Sequence, residues 1–234
     1  KTEITKQSLT NIFETETELL PILIEMRAVG VRVDLQEAEK LKKEFVAHED
    51  KVLLKIKKEA GVDVDIFAAR SIAKAFDKLK IKYPLTEKTK EPSFTANWLL
   101  NCEYPIAKFI REAREIHKFH ATFIDSILKY QHNGRIHAEI HQLRGDGGGT
   151  VSGRLSYSNP NLQQVPARNK ELGTKIRSLF KPESGLQWGS FDYSQQEPRL
   201  VVHYASSIGF PGSDKLVEAY EKENADFHQT VAEM

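Results

Sequence analysis

The stretch SFDYSQQEPRLVVHYA, from Ser190 to Ala205, sets an acid at the end of an apolar run and a helical segment behind it. Leu186 to Asp192 is predicted as a strand and Glu197 to Ser206 as a helix. Pro198 has no amide hydrogen, so the helix must begin near it, where first-turn N–H groups lack intrahelical partners anyway. Asp192 then stands at a strand end with Glu197 close behind. Phosphoryl and hydrolytic chemistry usually needs a second carboxylate, and the rest of the chain must supply it.

The chain has 234 residues, 40% hydrophobic and 29% charged, with a net charge of +1. That profile fits a packed globular protein of one large domain or two small ones. The near-neutral total neither demands nor excludes a nucleic-acid partner, because local patches matter more. A single cysteine, Cys102, allows no internal disulfide and favours a reducing, cytoplasmic setting. No apolar run reaches membrane-spanning length and KTEITKQSLT is no signal peptide, so no membrane partner is expected. The missing initiator Met points to a fragment.

Upstream, Thr15 to Val29 carries Leu19, Leu20, Ile22, Leu23 and Met26 at helical spacing, with Gly30 placed as a C-terminal cap. Asp34 opens a second helix, Glu37 completing a capping box. Its buried stripe is Leu41, Phe45, Val52, Leu53 and Ile56, and Gly61 ends it. Lys40, Lys42, Lys43, Lys51, Lys55, Lys57 and Lys58 crowd its other faces, which on charge alone reads as a solvated surface. Asp77 to Ser93 reads as an exposed loop and Thr95 as the cap of a short helix through Asn101. Ile106 to Tyr130 is a long amphipathic helix, so an elongated helical arm is expected. Arg135 to Gln142 alternates like a strand, and the Gly-, Ser-, Asn- and Pro-rich run after it does not read as regular structure. Asp214 to Glu221 and Asp226 to Met234 read as helices.

Several sites compete. His117 with His120, and His137 with His141 on one face of a strand, invite a metal. Zinc wants further Cys or His ligands, and the lone cysteine is distant in sequence, so these histidines read as structural or surface residues. RGDGGGTVSG (Arg144 to Gly153) lacks the Lys-Ser/Thr ending of a phosphate-binding loop. Asp192 and Glu197 as a glycosidase pair find no supporting aromatic sugar platform.

The joint pattern is more specific. TVSGRLSYSNPNLQQVPARN (Thr150 to Asn169), IRSLFKPESG (Ile176 to Gly185) and SFDYSQQEPRLVVHYA follow one another in an order that closely resembles the family A DNA polymerases, the group of bacterial DNA polymerase I. EMRAVGVRVD (Glu25 to Asp34), EPSFTANWL (Glu91 to Leu99) and GRIHAEIHQ (Gly134 to Gln142) resemble further family segments. The longer RGDGGG segment, LQQVP, Gln196 and Pro198 are similar to the phage-type branch.

The resemblance implies an α+β fragment of a right-hand polymerase fold, a long-helix thumb with part of an antiparallel palm sheet. Residues 1–33 would be a palm entry helix, 34–133 the thumb, 134–204 the palm with the first catalytic motif, and 205–234 the start of truncated fingers. It implies template-directed DNA synthesis with two Mg2+ ions, on primer-template DNA and deoxynucleoside triphosphates. Asp192 would bridge the ions, the backbone carbonyl of Tyr193 would coordinate one, and Glu197 would approach the nucleotide sugar. Arg154 and Gln163 would test base-pair shape in the minor groove, where acceptors occur at every pair. Asn161 would order that loop, Gln164 stands where many members have Asn, and Arg168 would touch phosphate or brace the loop. Lys51, Lys55 and Lys58 would hold duplex phosphates, with the loop between Lys78 and Lys90 as a further candidate.

The family's triphosphate-gripping finger helix and its second acidic motif have no counterpart. The chain is therefore expected to be inactive alone. The alternatives are a non-catalytic DNA-binding half of a split polymerase, needing a second polypeptide, and a scaffold module.

Overall fold

A computed structural model of the chain describes residues 2–145, 147–166 and 169–221. The helix expected over Asp226 to Met234 and the role expected of Arg168 lie outside the described residues. The chain divides into two compact units, Lys1–Leu186 and Gln187–Met234.

The first unit opens with helices α1 (Thr2–Lys6) and α2 (Thr10–Val29) and strand β1 (Val31–Val33). Gly30 ends α2 at φ 63°, its N–H donating to the Met26 carbonyl at 2.9 Å. A Cβ at Gly30 would fall 2.6 Å from the Ile136 carbonyl oxygen, so both conformation and space call for glycine. The apolar stripe expected on α2 is mostly exposed; Leu23 is its one buried member. Periodicity marks an apolar face, but burial requires a partner, and the described residues give this face little cover.

Helix α3 (Leu35–Ala60) follows the local rules at both ends. Asp34 Oδ1 accepts the Glu37 N–H at 3.0 Å, and Gly61, at φ 64°, donates to the Lys57 carbonyl at 2.8 Å. Only half of the capping box forms. The Asp34 N–H already donates to the Leu179 carbonyl at 2.9 Å, and the Glu37 carboxylate turns to Lys40 at 3.2 Å.

After α3, Asp77 to Ser93 forms no helix beyond Lys78 and is mostly exposed, as expected of a loop, although Ile81 is buried. Helix α4 (Ala69–Lys78) precedes it and helix α5 (Ala96–Asn101), capped by Thr95, follows. Between them Phe94 packs 5.2 Å from both Phe76 and Tyr83, and Trp98 5.7 Å from Phe76. Helix α6 (Pro105–His117) runs through a π-helical stretch, Lys118–Ile124, into α7 (Asp125–Tyr130). Leu41, Phe45, Val52 and Ile56 of α3 share one core with Ile110, Ala113 and Ile116 of α6 and with Phe119 and Ile124. Arg114 of α6, half-buried, donates to the carbonyls of Ile66 at 2.6 Å and Phe94 at 2.9 Å, pinning the excursion to the helix pair.

Strands β2 (Gln131–His132) and β3 (Arg135–Ile136) form a hairpin whose two turn residues, Asn133 and Gly134, sit at φ 49° and 76°. The strand expected over Arg135 to Gln142 is split in two. Its second half, β4 (Glu139–His141), pairs instead with β5 (Ser156–Ser158), bringing Ile140 opposite Tyr157. That pairing also corrects the expectation of no regular structure after Gln142. Helix α8 (Leu172–Arg177) and strand β6 (Phe180–Lys181) complete an antiparallel sheet of order β2-β3-β1-β6.

In the second unit, α9 (Gln196–Ser207) starts two residues before Pro198, and α10 (Ser213–Glu221) follows. The expected strand Leu186 to Asp192 does not form: these residues lack a ladder partner among the described residues. A strand is a property of a pair, and apolar alternation alone does not supply the second member. Among the described residues no helix is long and apolar enough to cross a membrane.

Candidate functional site

In the first unit the Gly-Ser-Asn-rich run is a braced loop. The Thr150 hydroxyl donates to the Arg154 carbonyl at 2.8 Å, and the Gly149 N–H donates to Ser156 Oγ at 3.0 Å. Asn161 Oδ1 accepts the Gln163 N–H at 3.1 Å and so opens a single 3-10 turn, Leu162–Gln164. Gln163 Nε2 donates back to the Leu155 carbonyl at 3.0 Å. Leu155 follows Arg154, so this one bond folds the turn bearing Gln163 onto the turn bearing Arg154. The Arg154, Asn161, Gln163 and Gln164 side chains are all exposed on that loop, while Leu162 packs against the core.

Glu139 anchors the loop from below. Its Oε2 accepts from Ser158 Oγ and Asn159 Nδ2, each at 3.1 Å, and His141 Nε2 lies 2.7 Å from the same Ser158 hydroxyl. His137 faces elsewhere, with Nδ1 2.9 Å from the Arg27 carbonyl, so the two histidines expected on one strand face serve different partners. Glu139 is separated from Ser158 by 19 positions, which leaves no local sequence signal for it.

On α3, Lys51, Lys55 and Lys58 recur at i, i+4 and i+7 and form one exposed row. Their neighbours are neutralised: Lys40 pairs with Glu37, Lys42 with Asp125 at 2.7 Å, and Lys57 with Asp63 at 2.8 Å. Lys51 and Lys58 have no ion-pair partner among the described residues, and Lys55 Nζ rests 5.6 Å from the Phe109 ring centre. Lys78, by contrast, is occupied as a donor to the Gly61 carbonyl at 2.8 Å.

A second concentration of basic charge lies in the sheet. Arg32 stands opposite Arg135 on one side and Lys181 on the other. Glu183 offsets it, with Oε1 2.7 Å from Arg135 Nη2. The Arg135 hydrogen bond holds the Glu183 carboxyl below its ordinary value against an opposing desolvation effect, with the Arg135 and Arg32 charges adding smaller pulls in the same downward direction.

In the second unit, Asp192 and Tyr193 are exposed and consecutive, which presents a carboxylate and an adjacent backbone carbonyl. These are hard oxygen donors of the kind magnesium takes while retaining waters. Glu197 lies in the first turn of α9, where the helix dipole favours an acid. The turn before α9 is fastened by Arg199, whose Nε donates to the Ser194 carbonyl at 3.0 Å while its guanidinium lies 4.6 Å over the Tyr220 ring. Tyr220 in turn donates to Gln195 Oε1 at 3.4 Å, and Gln195 adopts φ 54°. Arg199 also lines, with Tyr193, Gln196 and His203, an open depression of about 520 Å³. Arg199 is thus a positioning residue that sequence reasoning left without a role, although it closes the DYSQQEPR motif.

The family model described as DNA polymerase family A matches residues 35–234. The chain belongs to the family A DNA polymerases. It is 35% identical, over 99% of its length, to the DNA-directed DNA polymerase of Pseudomonas phage M6. It is 34% identical, over 94% of its length, to DNA polymerase I of Geobacillus stearothermophilus. Among solved structures, the POL domain of Pol1 from M. smegmatis, in complex with DNA primer-template and dNTP, matches 88% of the chain with a TM-score of 0.72 and 27% identity. This family A chain spans 37% of the phage relative, 24% of the Geobacillus enzyme and 36% of the mycobacterial chain.

Proposed function

We propose that this chain supplies the duplex-holding helices and the first metal-binding acid of a template-directed DNA polymerase, acting on primer-template DNA and deoxynucleoside triphosphates. Asp192, exposed and followed by the Tyr193 carbonyl just ahead of α9, within a chain of this family, is the observation that carries the reading. Asp192 and the Tyr193 carbonyl would hold magnesium, which when bound supplies charge stabilisation for phosphoryl transfer. Glu197, at the start of α9, borders the nucleotide sugar. Arg154 and Gln163, donors on one braced loop, meet minor-groove acceptors without reading sequence. Lys51, Lys55 and Lys58 hold backbone phosphates as the helical thumb, and β1, β3 and β6 belong to the palm.

The chain presents one acid of the pair that such chemistry uses, and we expect no synthesis from it alone. Primer extension with magnesium and all four nucleotides tests this directly: any extension by the purified chain refutes it. In a full-length enzyme containing this chain, Asp192→Asn should lower turnover by about a thousandfold or more with DNA binding retained. Turnover within a factor of a few of wild type would defeat the assignment.

A further inference from the structure

We infer that Glu49, His117 and His120 form a binding site for a divalent transition cation, zinc by its donor set, that clamps α3 to the junction of α6 with the π-helical stretch. Among the described residues this is the one group of three His, Cys, Asp or Glu side chains whose ligand atoms converge, all within 4.8 Å of one another. Glu49 Oε1 is 2.9 Å from His117 Nδ1, and Glu49 Oε2 is 2.5 Å from His120 Nε2. Glu49 and His120 are 9% and 7% exposed, whereas His117 is half-exposed and leaves one side open to water. No Lys or Arg pairs with Glu49 among the described residues; the two imidazoles are its hydrogen-bond partners.

Zinc bonds of about 2.0–2.1 Å in a tetrahedron keep ligand atoms roughly 3.3–3.4 Å apart, so the two short contacts would open by less than about 1 Å and the widest pair, within 4.8 Å, would close by at most about 1.4 Å. Two imidazoles, one carboxylate and a water from the open side make a four-coordinate set that zinc accepts and oxygen-seeking magnesium does not. A cation would take the lone pair of the ring nitrogen that faces Glu49, with the ring proton on the other nitrogen. Phe67, 4.8 Å from His117 centre to centre, lays apolar surface against the site. The ligands come from helices 68 and 71 positions apart, so bound zinc would join the arm across its core. None of this depends on the polymerase reading.

Titration of the full chain with zinc chloride against a competing chelator should show one equivalent bound, with Kd micromolar or tighter. Cobalt(II) in its place should give the visible bands of a tetrahedral site. At a hundredfold excess over Kd, zinc should raise Tm by about 5–10 °C, while magnesium chloride should leave it unchanged. His117→Ala, at a half-exposed position the fold tolerates, and His120→Ala should each weaken zinc binding by about a hundredfold or more. Absence of binding, or equal binding in His117→Ala and wild type, overturns the inference; if His120→Ala does not fold, His117→Ala decides.

Discussion

Gln163 spends its side-chain amide on the carbonyl of Leu155, 3.0 Å away, and so ties the two turns of one loop together. A group expected to meet DNA is therefore a brace of its own loop, and the NH2 of an amide can serve both ends because it carries two donor hydrogens. Gln163→Glu keeps the shape and removes both donors. In a full-length enzyme it should lower kcat/KM for correct nucleotide insertion by about 10- to 100-fold, with little change in Tm because the side chain is exposed. Steady-state insertion kinetics check this, and unchanged kcat/KM would remove Gln163 from the interface.

The row of Lys51, Lys55 and Lys58 should act through charge alone. Replacing all three by Gln should reduce the slope of log K against log salt by about 2.7 if each meets a phosphate. The loss should be the same for unrelated duplex sequences. Fluorescence anisotropy across a salt series measures both. A slope equal to wild type would return these lysines to the role of a solvated surface.

Arg114 holds two backbone carbonyls from inside the helical core, and burial draws its pKa below the ordinary guanidinium value without discharging it at neutral pH. Arg114→Met keeps the apolar stem and strands both acceptors. The expected cost is about 2–3 kcal/mol, or about 4–12 °C in Tm. Arg114→Lys should recover part of it, since one ammonium cannot reproduce the fork. Thermal or urea unfolding reads the difference.

Glu183 predicts a pH dependence with a definite sign. Its folded carboxyl titrates below its ordinary value, so the stability it lends is complete above the unfolded pKa, about 4.3. That stability fades as pH falls through the folded value. Glu183→Gln should therefore melt below wild type at pH 6–7, and the two should converge once the pH lies below the lowered pKa of the folded carboxyl. A gap that persists in acid would show that packing rather than charge is responsible.

What the sequence discloses here is what short-range rules govern. Asp34, Gly61, Thr95 and Pro198 each mark a helix end where the structure has one, because a cap is settled within four residues. The half-formed capping box marks the limit, since the competitor for the Asp34 amide was Leu179, 145 positions away. Strands were misread for the same reason, because partners come from the fold: Glu139–His141 pairs with β5 apart from β3, and Leu186 to Asp192 has no ladder partner among the described residues. The hairpin at Asn133-Gly134 and helix α4 were not anticipated, although the first is a turn signal and the second places Ile72, Ala73 and Phe76 on one amphipathic face. Of the site, the loop residues were readable from their motif. Their bracing by Leu155 and Glu139, and the meeting of Glu49 with two histidines, depend on long-range contacts.

The extended run before α9 also has a colloidal consequence. Phe191 is 97% exposed and Trp188 58%, on backbone that no neighbouring strand covers among the described residues. Such a segment is a template for intermolecular pairing. From Ser184 to Gln196 the sole charge is Asp192. The carboxylate proposed to hold a metal would thus also be the segment's gatekeeper against self-stacking, and neutralising it would add a solubility question to the catalytic one.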